Sequence, residues 1–129
     1  MAEISLDFKF RSRREKVWEA LTDPDILSEW VMPNDFKPIV GHQCQFRNEE
    51  INLVVDSVVL AVEAPVRLSY TWVGGPLDTV VTWTLTEDEE WTVLHLDHTG
   101  FREEDMAYNG ARYGWSDKIE TLARILDQE

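Results

Sequence analysis

Few side chains in this chain of 129 residues are spaced for chemistry. Its histidines are His42, His95 and His98, and its one cysteine is Cys44. His95 and His98 stand three apart in Leu94-His95-Leu96-Asp97-His98, where apolar and polar residues alternate as in a strand. An odd separation on a strand sends two side chains to opposite faces, so this pair cannot chelate one metal ion. His98 shares its face with Leu94 and Leu96 near a strand end, where an imidazole can bond a ligand carbonyl or act as a general base. The competing reading is a histidine satisfied in the core, holding a backbone carbonyl; no carboxylate partner can be assigned to it from the sequence. His95 reads as a solvent-facing strand residue, and His42, at the start of a strand, as a rim residue.

Cys44 alternates with Phe46 and so reads as a small buried hydrophobe rather than a nucleophile. The nucleophile elbow Gly-x-Ser-x-Gly is absent. Gly74-Gly75-Pro76 lacks the lysine and the strand-to-helix setting of a phosphate loop and reads as a turn. These residues imply no metal site, no cofactor and, on balance, no enzyme.

The elements that must position these residues follow from periodicity. Residues 4–10 alternate, with Ile4, Leu6, Phe8 and Phe10 on one face of a strand. Ser12, with Glu15 three residues later, predicts the capped start of a helix over about 13–22, and Val17, Trp18, Ala20 and Leu21 supply its helical spacing. Asp23-Pro24 restarts the chain into a second short helix with Ile26, Leu27 and Trp30 on its apolar side, ended by Pro33 and Asn34. Segments 41–47, 51–62, 66–72, 77–86 and 91–99 read as strands joined by short turns, hence an antiparallel meander. Their inward faces carry Leu68, Tyr70 and Trp72, then Val81, Trp83 and Leu85, then Leu94, Leu96 and His98. Residues 101–105 read as a loop, and Trp115, Ile119, Leu122 and Leu126 predict a long amphipathic helix over about 111–127. The order predicts an α+β fold in one domain spanning residues 1–129, with the last helix lying across a bent sheet of about six to seven strands and a space between them.

A net charge of -13 argues against nucleic acid and anionic membrane surfaces. No apolar run approaches the ~18 residues of a membrane span. Met1–Ser5 does not look like a secretory signal, and one unpaired cysteine suits a reducing compartment, so a cytoplasmic protein, monomeric or weakly dimeric, is expected.

Val17-Trp18-Glu19-Ala20-Leu21-Thr22-Asp23-Pro24 followed by Ile26-Leu27-Ser28-Glu29-Trp30 resembles the entry signature of the START-related SRPBCC superfamily. Within it, the chain is most similar to bacterial homologues of the C-terminal domain of the activator of the ninety-kilodalton heat-shock protein's ATPase. Further matches are Pro65–Trp72, Leu94–Phe101 and Gly114-Trp115 opening a helix. The likeness covers nearly the whole chain. It departs at Ala64, where relatives commonly carry a second proline, and it is shorter around residues 48–51. The resemblance implies a helix-grip fold with a cavity between sheet and terminal helix, in a superfamily whose members bind lipids, polyketides, flavonoid-like molecules or hormones, or act as cyclases or hydrolases.

Six tryptophans are the oddity of the composition. Trp18 reads as packing and Trp91 lies on an outer face. Trp30, Trp72, Trp83 and Trp115 are placed to converge on the cavity with Phe8, Phe46, Tyr70 and Tyr113, where aromatic walls suit planar or acyl ligands. That the rings simply fill the space is an equal alternative. The expected function is therefore non-catalytic binding of a small apolar or aromatic molecule by these rings and His98. The alternatives are a stress-response interaction protein that contacts a chaperone, and a cofactor-free cyclase or hydrolase with His98 as base.

Overall fold

The computed structural model describes residues 2–74, 77–101 and 107–127. The turn expected at Gly75-Pro76 and most of the expected 101–105 loop lie outside the described residues; Phe101 itself ends a strand. The chain runs β1 (Ala2–Phe10), α1 (Arg14–Thr22), α2 (Pro24–Trp30), β2 (Gln43–Asn48), a 3-10 turn (Glu49–Ile51), β3 (Leu53–Glu63), β4 (Arg67–Gly74), β5 (Leu77–Asp88), β6 (Trp91–Phe101) and α3 (Ala107–Asp127). The six strands form one antiparallel sheet in the order β1-β6-β5-β4-β3-β2. A meander from β2 to β6 is thus completed by β1, which pairs with β6 and carries the chain into the two short helices.

The sheet is open and curved, with register shifts in β1 between Ala2 and Ile4 and in β3 between Val59 and Ala61. Such bulges add local twist and bend a strand. The α+β helix-grip architecture expected from the sequence is the one observed. Strand alternation sends Leu68, Tyr70, Trp72, Val81, Trp83, Leu85, Leu94, Leu96 and His98 to the concave face, where all are buried. Trp115, Ile119, Leu122 and Leu126 of α3 are buried with them.

Three local expectations need correction. Ser12 does not cap α1: Arg13 is the N-cap and makes no side-chain capping bond, while the Ser12 carbonyl accepts a 2.7 Å bond from the Thr92 hydroxyl. That tertiary bond holds Ser12 against β6, one residue before the helix start. By contrast, Asp23 caps α2 as expected, its Oδ1 accepting from the Asp25 N–H at 2.9 Å with Pro24 at the first helical position. The first residues of the expected 41–47 strand fall outside β2, because Gly41 turns with φ of +88°. The last helix begins at Ala107 rather than near 111; its 21 residues span about 31 Å at the usual rise per residue.

Candidate functional site

The inward aromatic set gathers around α3. Trp72 lies 5.3 Å from Trp115, 5.1 Å from Phe46 and 6.4 Å from His98, ring centre to ring centre. Trp83 meets Trp115 at 5.3 Å and Trp30 at 5.8 Å, both edge to face. Tyr70 stacks on Phe46 at 6.0 Å, and its hydroxyl accepts a 2.8 Å bond from the Trp83 indole N–H. Burial raises the Tyr70 phenol above its ordinary value, so it stays neutral. Trp30 is held by a 2.9 Å bond from its indole N–H to the Ala20 carbonyl, which ties α2 to α1. Of the expected site residues, Trp30, Phe46, Tyr70, Trp72, Trp83, His98 and Trp115 meet here. Phe8 is half-buried on β1 and packs against the same core. Tyr113 is 77% exposed and stands apart from these rings.

His98 is fully buried, at 0% exposure, and both of its nitrogens are engaged. The Trp115 indole N–H, which can only donate, reaches His98 Nδ1 at 2.9 Å. His98 Nε2 lies 2.7 Å from the Thr79 hydroxyl, which itself donates to the Trp72 carbonyl at 2.7 Å. Only one assignment satisfies all three bonds: Nδ1 accepts, and Nε2 carries the proton and donates to Thr79. Burial lowers the His98 pKa to about 4, in keeping with this neutral tautomer. The imidazole therefore joins α3 to β4 and β5, and neither nitrogen is free to take a substrate proton. Its partners are a hydroxyl and an indole rather than a backbone carbonyl.

His95 sits on the convex face in an unexpected cluster. Its Nδ1 lies 2.5 Å from Asp7 Oδ1, while Nε2 lies 3.0 Å from Asp97 Oδ1 and 3.3 Å from the Ser5 hydroxyl. Ser5, His95 and Asp7 resemble a nucleophile, base and orienting acid in outline. The hydrogen bond to Asp7 above all raises the His95 pKa, and Nε2, which would have to face Ser5, lies closer to the Asp97 carboxylate. With a carboxylate at each nitrogen, the ring links Asp7 of β1 to β6.

Cys44 is buried, and burial followed by the charge of Asp35 pushes its thiol up to about 11, which suits the inert role expected of it. His42, half-buried at the rim, has a ring nitrogen 3.0 Å from the Asp35 carbonyl. Among the described residues, no group of three or more His, Cys, Asp and Glu side chains is placed to hold a metal ion. None of the described helices is long and apolar enough to cross a membrane.

Three contributors escaped the sequence reading. Phe36, in the segment between α2 and β2, is buried and meets Tyr70 at 5.6 Å; no periodicity marks a lone ring in a loop. Thr79 supplies the hydroxyl to His98 from 19 residues away. Ser57 is an inward residue between Val55 and Val59, a place that strand parity does signal. An open cleft of about 930 Å3 lies between the end of α2, Val31–Asp35 and β2, lined in part by Met32, Arg47 and Glu49.

A family model described as Activator of Hsp90 ATPase homolog 1-like protein matches residues 11–127. Among solved structures, protein MLL2253 of Mesorhizobium loti is 40% identical over 98% of each chain, with a TM-score of 0.93. DynU16, a protein of the dynemicin biosynthetic locus, is 26% identical with a TM-score of 0.87; the match covers 97% of this chain and 47% of DynU16. The Aha1 dimer of Colwellia psychrerythraea shares the fold at a TM-score of 0.87 and 20% identity, over 98% of this chain and 96% of its own. No curated protein matches the chain in sequence.

Proposed function

The chain belongs to the family of Activator of Hsp90 ATPase homolog 1-like proteins, and we propose that it works there as a non-catalytic binder, holding one small apolar or aromatic molecule between the sheet and α3. The observation that carries this reading is the inward ring set, in which α2, α3 and three strands present Trp30, Phe46, Tyr70, Trp72, Trp83 and Trp115 to one another. Ring faces that meet one another offer the same surface to a planar guest that parts them. With Phe8, they form the walls of the proposed site, His98 its neutral back, and Tyr113 at the exposed side of α3 its outer margin. Because His98 spends both nitrogens on the fold, binding rather than turnover is the chemistry left to it. The likeness to DynU16, from a biosynthetic locus, supports a small-molecule occupant.

Titration with fatty acids, polyketides and flavonoids, followed by tryptophan emission and amide shifts, tests the proposal. A saturable response centred on Trp72 and Trp115 is expected. Silence across all three classes would overturn it.

A stress-response contact with a heat-shock chaperone is the second reading, favoured by the family itself and by the likeness to Aha1. Its test is the ATP turnover of an Hsp90-type chaperone with and without this protein. Unchanged turnover removes it.

A further inference from the structure

Along the concave face, one row of residues crosses four strands. Cys44 of β2 pairs with Ser57 of β3, Ser57 lies beside Trp72 of β4, and Trp72 pairs with Thr79 of β5, which bonds His98. This row holds two buried polar residues of the sheet, Ser57 and Thr79, and reaches a third, His98. Thr79 and His98 use their polar atoms within the fold. Ser57 does not: it is 2% exposed and its hydroxyl has no hydrogen-bond partner. Native folds seldom leave a buried hydroxyl unpaired, because it has lost water and gained nothing. Its strand neighbours Val55 and Val59 are apolar and buried, so an alanine would continue the face without that loss.

The rest of the concave surface limits what can meet Ser57. Its described buried side chains are apolar or neutral, and the thiol of Cys44 and the ring of His98 are both uncharged near neutrality. An anionic guest there would shed its hydration with no described cation to replace it, and the Asp35 charge that acts on Cys44 opposes it further.

We propose that Ser57 is the polar anchor of the binding site and that its ligand is an uncharged aromatic molecule carrying a hydroxyl or carbonyl group. This rests on the binding reading above and narrows it. The Ser57 hydroxyl both donates and accepts, so either group satisfies it. The aromatic body of the ligand lies against Trp72 and Trp115.

Three probes of one shape test the anchor: naphthol, methylnaphthalene and naphthoate, substituted at the same ring position. Each is titrated into the wild type and into Ser57→Ala by tryptophan quenching and calorimetry. The wild type should bind naphthol about tenfold tighter than methylnaphthalene, the worth of one net hydrogen bond, and naphthoate weakest. Ser57→Ala should bind methylnaphthalene as the wild type does, lose the preference for naphthol, and unfold at a temperature no lower than the wild type. A variant that keeps the preference overturns the anchor while leaving binding intact. Tightest binding of naphthoate overturns the uncharged class. If none of the three binds the wild type, the binding reading falls and the anchor with it.

Discussion

His98→Gln tests whether the fold keeps this imidazole neutral. In the folded protein, the Trp115 N–H points at Nδ1 from 2.9 Å and Nε2 donates to Thr79 at 2.7 Å. A second proton would have to sit on Nδ1, facing another donor, so protonation must break the Trp115 bond. Burial accordingly lowers the pKa from 6.5 to about 4. In the unfolded chain, the ring titrates near 6.5. Between those two values, the unfolded state holds a proton that the folded state lacks, so stability falls as pH drops, by up to about 1.4 kcal/mol per pH unit. Above the unfolded value, this contribution is constant, and below about pH 4 no more is lost. Glutamine at position 98 offers an amide donor and acceptor but does not titrate. Urea unfolding of both proteins from about pH 7.5 to about pH 4.5 should show the wild type losing about 2.5 kcal/mol more than the variant. Carboxylates elsewhere titrate in both proteins and cancel in the difference. Parallel stability curves would refute the argument that the hydrogen-bonded core holds His98 neutral.

Four further substitutions test other parts of the fold. Asp23→Ala should cost about 1 kcal/mol in chemical denaturation by removing the α2 cap, whereas Ser12→Ala should change stability by less than about 0.5 kcal/mol, since Ser12 contributes its carbonyl. Gly74→Ala would put a Cβ 2.6 Å from the Val54 carbonyl oxygen, and the shift this forces should lower thermal stability by about 1–3 kcal/mol; an unchanged melting temperature would contradict that contact. Asp7→Asn should lower the His95 pKa in a proton NMR titration, because Asp7 is the main cause of its rise. A raised pKa adds stability that is full below the ring's unfolded value and is lost as pH climbs through the folded one, so the variant should be weakened more in acid than at alkaline pH.

Much of the fold was legible because its elements are amphipathic and short-looped. Period-two alternation from Ile4 to Phe10 and from Leu94 to His98 identified each inward face, since a strand cannot turn one residue inward without turning the next outward. The Asp23-Pro24 pair marked the start of α2 because its chemistry is local to three residues. Ser12-x-x-Glu15 failed for the converse reason: a bond from Thr92, distant in sequence, claimed the residue first. The beginning of α3 was set too late because Ala107–Gly110 carries little apolar periodicity.

The candidate site divides along the same line. Sequence by itself determined that His95 and His98 face opposite sides, that Cys44 and Phe46 point inward, and that four tryptophans lie on elements bordering one space, because side-chain direction follows from parity and helical spacing. Tertiary structure alone decided what those side chains do. It brought the Trp115 indole to His98 Nδ1 and supplied Thr79 to the other nitrogen. It placed two carboxylates at His95, exposed Tyr113, and left the Ser57 hydroxyl without a partner. Hydrogen bonds act over about 3 Å between residues that the chain may separate by dozens of positions, and only the packed fold sets those distances.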